Sequence, residues 1–454
     1  MNFSKLPLTE QMLQNLNKIG FKEMTPIQSE SLPHILKNSD VIAQAKTGSG
    51  KTAAFGIGLL QKLEVKKFRV QSLILCPTRE LADQVAKELR NIAKFAHNIK
   101  ILTLCGGTAF GPQLGSLRHG AHIIVGTPGR VLKHLDKKTI NLENLQTLVL
   151  DEADRMLDMG FIEEIEKVIS YAPKNRQTLL FSATFPEEIV DFSKNIQHDA
   201  VSVKTIQTES INKITQYFYE ANEEEKTNTL INILFTYKPE NAIVFANTKI
   251  QTQEIADALQ AKGIDALAIH GDLEQYDRND VLVQFSNRSC SILVATDVAA
   301  RGLDIKELAM VVNYNIPHGE ETYTHRIGRT GRAGKEGIAC TLYNSYEADN
   351  AYEYKNETRN FNEISTLKHS DAKFEMQPKN VTLVIEGGKK DKLRAGDILG
   401  ALTAEKKLAG DAIGKIDIYD RQSYVAIQRD MIETAHKILK NGKIKAKKFS
   451  VWVL

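Results

Sequence analysis

The sequence predicts an α/β protein with two successive parallel-sheet domains and a small α+β domain at the end. Short apolar runs recur along the first 360 residues, and each is followed by a polar or glycine-rich cluster and then by an amphipathic segment. This alternation is typical of βαβ units, whose strands are buried on both faces. The pattern pauses at the acidic stretch 220–226, near a predicted domain boundary, and restarts, and from residue 379 the composition becomes lysine-rich.

Composition places the chain among globular proteins. It has 454 residues, 42% of them hydrophobic and 25% charged, which is enough for two or three domains with large cores. Its four cysteines are far apart and none has metal or redox spacing, so we expect buried, reduced thiols. No secretion signal or membrane-length apolar run of about 18 residues is visible. We therefore predict a soluble, cytoplasmic protein with no membrane contact.

Charge is distributed unevenly. Residues 379–454 carry 16 basic and 9 acidic side chains, a net of +7, whereas the remainder carries 43 basic and 47 acidic ones, a net of −4. A basic tail on a slightly acidic body suggests a separate module for a polyanion. A solvated, lysine-rich surface is the alternative.

The N-terminal segment predicts a helix and then a loop. Apolar residues have helical spacing from Phe3 to Lys18, and Gly20 ends the pattern. In the loop that follows, Phe21 offers a ring to a purine, and the Gln28 amide carries the donor and acceptor that match an adenine edge. An ordinary solvated loop glutamine is the alternative.

A phosphate-binding loop is predicted at Ala45–Thr52, between an apolar strand and a helix. Backbone N–H groups at such a helix start attract anions. Lys51 is placed to reach the β- and γ-phosphates of a nucleotide, and the Thr52 hydroxyl to bind Mg²⁺. Ala45 stands where the strict pattern has glycine, and an ordinary tight turn is the alternative.

Two carboxylates follow another predicted strand of this domain. Strands are predicted at 41–43, 72–76, 101–104, 123–125, 148–150 and 179–181, and ligands gather at the carboxyl ends of such strands. Asp151 is placed to hold the same Mg²⁺, and Glu152 to orient or deprotonate water. A helix N-cap with acidic first-turn residues is the alternative.

The second domain repeats the pattern without a phosphate-binding loop. Its predicted strands are 242–246, 266–269, 291–295 and 310–314. Arg326, Arg329 and Arg332 follow at a spacing of three in a glycine-rich stretch, which suggests arginines that act on a nucleotide bound to the first domain. A basic helix start at the surface is the alternative.

The last domain has the order βαββαβ, which is ferredoxin-like and typical of RNA-recognition motifs. Its elements are predicted at 381–385, 393–402, 413–419, 424–428, 431–439 and 449–454. Tyr424 is the aromatic on the third strand, and the first strand has none, so base stacking on the sheet is poorly supported. We expect basic loops to bind RNA instead; the candidates are Lys389, Lys390, Lys392, Arg394, Lys406, Lys407 and residues 443–448.

These clusters, in this order, resemble those of the DEAD-box ATP-dependent RNA helicases over roughly residues 1–360. The matching segments are Gly20–Phe21, Thr25–Gln28, Ala45–Thr52, Pro77–Ala82, Gly106–Gly107, Thr127–Arg130, Asp151–Asp154, Ser182–Thr184, Gln275 with Arg278, Ala295–Asp304 and His325–Arg332. In that family Ala45 is the usual residue. The resemblance implies RecA-like domains at 1–207 and 208–360, a linker at 361–378 and an RNA-recognition-motif domain at 379–454, similar to the DbpA-type subgroup, which is specific for a hairpin of 23S ribosomal RNA.

The resemblance also implies a role for each matching residue. It implies that ATP binds together with Mg²⁺. It also implies that Lys51, Glu152, Arg329 and Arg332 act in hydrolysis. The remaining implied contacts are Phe21, Thr25, Gln28, Ala45, Thr47, Gly48, Ser49, Gly50, Thr52, Asp151 and Asp304 for nucleotide and metal; Arg79, Gly107, Thr127, Arg130, Thr248 and Thr296 for RNA; and Ser182 and Thr184 for coupling the two.

We therefore expect a monomeric RNA-stimulated ATPase that unwinds structured RNA, directed to 23S rRNA and to precursors of the large ribosomal subunit. An ATP-gated RNA clamp or annealing factor would use the same residues, and only strand displacement separates the two. A DNA translocase is a third possibility, which DNA-stimulated ATPase activity would support.

Overall fold

Short strands, most of them rich in apolar residues, form two parallel sheets in the computed structural model. The structure describes residues 2–45, 48–205, 214–300, 308–317, 319–331, 336–354, 359–370, 374–404 and 408–454. The chain divides into two compact units after Gln207. The predicted fold class is confirmed, with one parallel sheet in each unit and a four-stranded antiparallel sheet at the C-terminal end of the second.

The first unit contains seven parallel strands among the described residues, in the order β3-β4-β2-β5-β6-β1-β7. Central strands such as Leu73–Leu75 are buried on both faces, which explains why they lack polar alternation. The strands are β1 Val41–Gln44, β2 Ser72–Leu75, β3 Ile101–Leu104, β4 Ile123–Gly126, β5 Thr147–Asp151, β6 Gln177–Ser182 and β7 Val201–Lys204. The sequence pattern predicted all of them except β7, an edge strand with two exposed residues.

Helices cover both faces of this sheet in two apolar layers. They are α1 Glu10–Lys18, α2 Pro26–Leu36, α3 Lys51–Lys62, α4 Arg79–Ile92, α5 Phe110–Leu117, α6 Pro128–Asp136, α7 Ala153–Asp158, α8 Ile162–Ser170 and α9 Glu187–Ile196. The helix predicted from Phe3 is split into a short 3₁₀ turn and α1, because Thr9 caps a new start by accepting the Met12 N–H at 3.4 Å. Gly20 ends the segment at φ 92°, as predicted.

The second unit repeats the arrangement in the order β10-β11-β9-β12-β13-β8-β14. Its strands are β8 Ile214–Glu220, β9 Ala242–Phe245, β10 Ala266–Ile269, β11 Ile292–Ala295, β12 Met310–Asn313, β13 Gly337–Tyr343 and β14 Arg359–Asn362. Its helices are α10 Glu223–Tyr237, α11 Lys249–Gln260, α12 Gln275–Ser286, α13 Asp297–Ala300, α14 Glu320–Ile327 and α15 Ala348–Glu353. Strands β9 to β12 were predicted, whereas β8, β13 and β14 were not.

Two stretches that look like connections in the sequence are part of this unit. The acidic stretch 220–226 ends β8 and begins α10, where three glutamates complement the positive end of the helix dipole. The start of the predicted linker lies in β14, which pairs with β8. Beyond it, the N–H groups of Lys368 and Ser370 donate to side chains of α10.

The C-terminal domain has the predicted order βαββαβ. Its elements are β15 Asn380–Ile385, α16 Ala395–Thr403, β16 Ile413–Ile418, β17 Ser423–Gln428, α17 Ile432–Asn441 and β18 Val451–Val453. The antiparallel order is β16-β17-β15-β18, and α16 and α17 pack on one face around Leu383, Ile398 and Val425. All four cysteines of the chain are buried and free, as predicted. Within the described residues no helix is long and apolar enough to span a membrane.

Candidate functional site

The loop between β1 and α3 is shaped as a phosphate cradle. Gly48 and Gly50 have φ values of 83° and 93°, and a Cβ on Gly50 would lie 2.4 Å from the Gln28 amide nitrogen. The Lys51 ammonium and the Ser49 hydroxyl are buried and have no hydrogen-bond partner among the described residues. A buried cation without a partner is costly unless an anion joins it, so these groups at a helix N-terminus fit a nucleotide phosphate. Thr47, in the same loop, lies outside the described residues.

Gln28 connects this cradle to the start of α2. Its Oε1 accepts the Thr25 N–H at 3.0 Å, and its Nε2 donates to the Gly50 carbonyl at 3.1 Å. One lone pair and one N–H remain on the amide, which is what an adenine edge requires. Phe21 is half-buried and packs edge-on against Phe3 at 6.3 Å. The structure thus brings the predicted base-binding residue against the predicted phosphate loop.

Asp151 and Glu152 lie at the end of β5. Both side chains are buried, and the Asp151 Oδ1 accepts the Glu152 N–H at 3.1 Å. Glu152 adopts φ 53°, a left-handed conformation that is uncommon for a residue with a side chain. Its carboxylate lies 3.3 Å from the Nε of Arg155, which is also buried. The turn therefore holds a glutamate in a fixed orientation at the carboxyl edge of the sheet.

The Asp151 and Thr52 oxygens are donors of the kind that Mg²⁺ prefers. Within the described ranges, no group of three or more His, Cys, Asp or Glu side chains is assembled to hold a metal ion. Mg²⁺ commonly binds through one or two carboxylates, waters and substrate phosphates and needs no protein cage. These residues therefore fit a magnesium ion that arrives with a nucleotide.

Asp154 performs a role that the sequence pattern did not assign. Its Oδ2 accepts hydrogen bonds from the Ala183 N–H, the Thr184 N–H and the Thr184 hydroxyl, each at 3.1 Å. Its own N–H donates to the Ser182 hydroxyl at 3.2 Å. The two predicted coupling residues are thus fastened directly to the turn that carries Glu152. The one signal for this role in the sequence is the position of Asp154, two residues after Glu152.

Four predicted RNA-contact residues lie together at the ends of β2, β3 and β4. A Cβ on Gly107 would lie 1.8 Å from an Arg79 nitrogen, so the guanidinium packs directly on the glycine backbone. The Thr127 hydroxyl accepts the Gly106 N–H at 3.3 Å. Arg130 donates to the Thr108 carbonyl at 2.9 Å. The cluster offers cationic and N–H groups of the kind that bind nucleic-acid phosphates.

The second unit places Thr248 and Thr296 after neighbouring strands. Thr248 caps α11 by accepting the Gln251 N–H at 3.2 Å, and Thr296 accepts the Ala299 N–H at 3.3 Å. Both hydroxyls are at the carboxyl edge of the second sheet, as predicted from the strand ends. Asp304 and Arg332 lie outside the described residues.

Two arginines of the glycine-rich stretch, Arg326 and Arg329, lie among the described residues, and both are buried. Arg326 is buried, with its Nε and Nη2 donating to Asp297 at 2.8 and 2.6 Å and its Nη1 donating to Asn313 and to the Asn315 carbonyl. Arg329 is 8% exposed at the end of α14. Arg326 is therefore part of the core of the second unit. The interpretation of the stretch as a surface helix start does not hold for this arginine.

The face of the C-terminal sheet opposite α16 and α17 is covered by α12 of the second parallel-sheet domain. Tyr424 is 3% exposed, and it packs with Val384 and Trp452 around Val283 of α12. Its hydroxyl donates to the Asp280 carboxylate at 2.7 Å. The one aromatic that the sequence offered for base stacking on this face is therefore occupied by a contact with the second parallel-sheet domain.

Basic side chains remain exposed elsewhere on this domain. Lys389, Lys390, Lys392 and Arg394 are exposed around the start of α16. The Lys445 ammonium donates to the Lys392 carbonyl at 3.1 Å, so the second predicted basic segment lies beside the first. Its exposed members are Lys443, Lys445, Lys447 and Lys448. We call these eight residues the basic face; Lys406 and Lys407 lie outside the described residues.

The buried carboxyl of Asp151 predicts a pH effect on stability. Burial raises its pKa from 3.8 to about 7, although the charge of Lys51 opposes the shift. As pH rises from ~4 to ~7, the unfolded chain releases this proton while the folded protein keeps it, so stability is lost over that range. We expect Asp151→Asn to stabilise the nucleotide-free protein at pH 8, by on the order of 1–4 kcal/mol, and less at pH 5. Thermal unfolding at both pH values measures this, and an equal effect at both would contradict it.

Comparison with known proteins agrees with this geometry. Residues 25–192 match the DEAD/DEAH box helicase model, 225–334 the helicase conserved C-terminal domain and 382–453 the DbpA RNA binding domain. The ATP-dependent RNA helicase DbpA of Escherichia coli (strain K12) is 50% identical over 452 residues, which cover 97% of each chain. The structure of S. cerevisiae Dbp5 bound to RNA and ADP BeF3 is 31% identical with a TM-score of 0.71, covering 80% of this chain and 96% of that one.

The three matched regions thus cover both parallel-sheet domains and the C-terminal domain, and the solved structure agrees in fold over 80% of this chain. The phosphate cradle and the Asp151–Asp154 turn lie in the first matched region, and the basic face lies in the third. The chain belongs to the DEAD-box ATP-dependent RNA helicases, in the group that carries a DbpA-type RNA-binding domain after the helicase core.

Proposed function

We propose that this helicase locally unwinds structured RNA within 23S ribosomal RNA during assembly of the large ribosomal subunit. The observation that carries the proposal is the basic face, which remains exposed on a domain whose sheet face is covered. Contacts between the helicase core and RNA phosphates give affinity but carry no sequence information. A preference for one RNA must therefore come from another surface. The ATP-dependent RNA helicase DbpA is similar over nearly the whole chain, and residues 382–453 match a DbpA RNA binding domain, which supports a separate RNA-binding module.

In the core, we propose that ATP binds with Mg²⁺ in the first unit. Lys51, Ser49 and the loop amides hold the phosphates, Thr52 and Asp151 hold the metal, and Glu152 acts on the attacking water. Gln28 and Phe21 bind adenine, with Thr25 in support. Arg329 and Arg332 of the second unit stabilise charge on the γ-phosphate, and Asp304 contacts the ribose. The bound magnesium supplies charge neutralisation on the phosphates.

For RNA, we propose that Arg79, Gly107, Thr127 and Arg130 bind the backbone together with Thr248 and Thr296. The hydrogen bonds that join Asp154 to Ser182 and Thr184 support a role for these two residues in coupling ATP hydrolysis to RNA binding. The relative Dbp5 has been solved with RNA and a nucleotide analogue, which supports a shared mode of binding. The proposal includes a cytoplasmic location, which four buried free cysteines support. It also includes a monomeric state, because all the proposed helicase residues belong to one chain.

The basic face can be tested by changing two charges. We expect Lys389→Gln with Lys390→Gln in the full chain to weaken binding to a 23S rRNA hairpin fragment by about tenfold and to reduce the salt slope by up to about two. Lys167→Gln with Lys194→Gln is the matched control. Both lysines are exposed in the first unit, so this double substitution removes the same charge from another surface. Binding is measured by fluorescence anisotropy across a salt series.

An unrelated hairpin of equal length is measured beside the 23S fragment. The proposal requires that the preference for the 23S fragment falls in the Lys389/Lys390 variant only. An equal loss for both hairpins would reduce the basic face to an unspecific electrostatic anchor. A strand-displacement assay with ATP, in which a clamp would hold the duplex without separating it, decides between unwinding and clamping.

A further inference from the structure

Gln113, on α5, lies at the centre of a hydrogen-bond network in the first unit. Its Nε2 donates to the Cys105 carbonyl at 3.0 Å and to the Thr108 hydroxyl at 2.7 Å. Its Oε1 accepts from Arg130 Nη1 at 2.9 Å and lies 3.0 Å from His134 Nε2. An amide side chain has two donors and two acceptor positions, so all four are used. The side chain therefore has one orientation that satisfies every contact.

The partners confirm that orientation. The Cys105 carbonyl can only accept, which fixes the nitrogen of the amide on the side of the loop after β3. Arg130 can only donate, which fixes the oxygen on the side of α6. His134 then donates from Nε2, and its Nδ1 faces the Thr139 hydroxyl at 2.8 Å. Burial lowers the pKa of His134 to about 4, with Arg130 and Lys133 adding to the effect, so this imidazole stays neutral.

The two sides that Gln113 joins carry the predicted RNA contacts. The loop from Cys105 to Ala109 contains Gly107, and α6, which follows the N-cap residue Thr127, carries Arg130. Arg130 would otherwise be a long, freely rotating side chain, and here its two terminal nitrogens are held by Gln113 and by the Thr108 carbonyl. The Phe110 ring stacks on His134 at 4.2 Å and closes the side of the network. A guanidinium that is oriented before RNA arrives loses less entropy on binding.

We propose that Gln113 is a positioning residue for RNA: it orients Arg130 and the Gly106–Gly107 loop so that they bind the RNA backbone, and it does so through its amide without contacting RNA. The inference rests on the proposed RNA role of Gly107, Thr127 and Arg130. Gln113 lies between those motifs in the sequence and would determine the RNA concentration that is needed to stimulate ATP hydrolysis.

The main test is Gln113→Leu, which keeps the approximate size and removes all four hydrogen bonds. We expect the RNA concentration for half-maximal ATPase activity to rise about tenfold, with the rate at saturating RNA within about twofold of the original, because positioning affects binding more than chemistry. Affinity for a fluorescent ATP analogue should not change. Ser116→Ala on the exposed side of α5 is the control and should change none of these values.

Gln113→Glu separates the two sides of the network. The carboxylate still accepts from Arg130 but cannot donate to the Cys105 carbonyl, so we expect an intermediate rise of about threefold in the same RNA concentration. The long-range ¹H–¹⁵N spectrum of His134 is a second readout, because a carboxylate beside Nε2 favours the charged imidazole and raises its pKa. This readout remains available if Gln113→Leu folds poorly.

Arg130→Ala distinguishes failure of this inference from failure of the proposed RNA site. If Arg130→Ala weakens the RNA response and Gln113→Leu does not, Gln113 has no positioning role. If neither variant changes the response, the RNA assignment of this cluster is wrong. The inference also requires that adding Gln113→Leu to Arg130→Ala causes much less than a further tenfold loss, since Gln113 acts partly through Arg130 and only its effect on the Gly106–Gly107 loop remains; fully independent effects would overturn it.

Discussion

Replacing Glu152 by glutamine is expected to lower ATP turnover by roughly 10²–10⁴-fold while nucleotide affinity stays within about twofold. The amide has the same shape as the carboxylate but cannot take a proton from water. The backbone of Glu152 is held in the left-handed region, and the side chain lies in a buried pocket beside Arg155. The structure therefore presents this group in one orientation at the edge of the sheet. Steady-state ATPase assays with saturating RNA, together with titration of a fluorescent ATP analogue, measure the two quantities.

The control for this experiment is Glu163→Gln, since Glu163 is an exposed glutamate whose pair with Lys167 is 3.7 Å long. Surface pairs of this kind contribute little to stability, so that variant should behave as the original protein. Thermal unfolding must accompany the assay, because Glu152→Gln also removes the charge that faces Arg155. Turnover near the original value in Glu152→Gln would exclude Glu152 from the catalytic role, and a parallel loss of ATP binding would indicate a structural effect.

Replacing Arg332 by alanine is expected to lower hydrolysis by roughly 10³-fold or more, with a much smaller effect on ATP affinity. The reason is that an arginine supplied to the γ-phosphate stabilises charge that develops mainly in the transition state, so its removal changes the rate more than binding. Single-turnover hydrolysis at saturating ATP and RNA measures this rate directly. A loss confined to ATP affinity would make Arg332 a binding residue only.

Arg326→Ala is the informative comparison, because Arg326 belongs to the same arginine series and its hydrogen bonds lie inside the second unit. Arg326 is 2% exposed and holds Asp297, Asn313 and the Asn315 carbonyl inside the second unit. Removing it leaves the partly exposed Asp297 carboxylate and two buried acceptors without their donor, at a cost on the order of 3 kcal/mol, most of it from the buried acceptors. We expect a lower melting temperature for Arg326→Ala and an unchanged one for Arg332→Ala.

Local patterns were sufficient to predict the parts of this protein whose chemistry depends on neighbours in sequence. Central strands such as β2 and β11 are apolar without interruption, because both of their faces are buried. The loop before α3 and the Asp151–Glu152 pair lie at the ends of such strands, so both are at the carboxyl edge of the sheet, where ligands gather in folds of this kind. The order of the C-terminal elements was equally clear, since each is bounded by polar or glycine-rich turns.

Three of the four strands that the pattern missed, β7, β8 and β14, have mixed exposure, whereas the fourth, β13, is buried along most of its length. The strand β8 alternates between buried and exposed residues over its first half, and β14 is a short edge strand of polar and aromatic residues in a segment that looked like a linker. Such strands depend on pairing with a sheet already in place, and their own composition carries little signal. The same applies to Thr9, which divides the first predicted helix by capping a new one.

Sequence alone predicted the class of chemistry from three features: a glycine loop before a helix, an aspartate and a glutamate directly after a strand, and a basic C-terminal module. Tertiary structure decided which of several similar side chains does what. It buried Arg326 in the core, turned Tyr424 toward Asp280, fastened Ser182 and Thr184 to Asp154, and gave Gln113 four partners from separate segments. The physical reason is that hydrogen bonds between distant segments satisfy buried polar groups, and their partners are set by packing, which spacing along the chain does not encode.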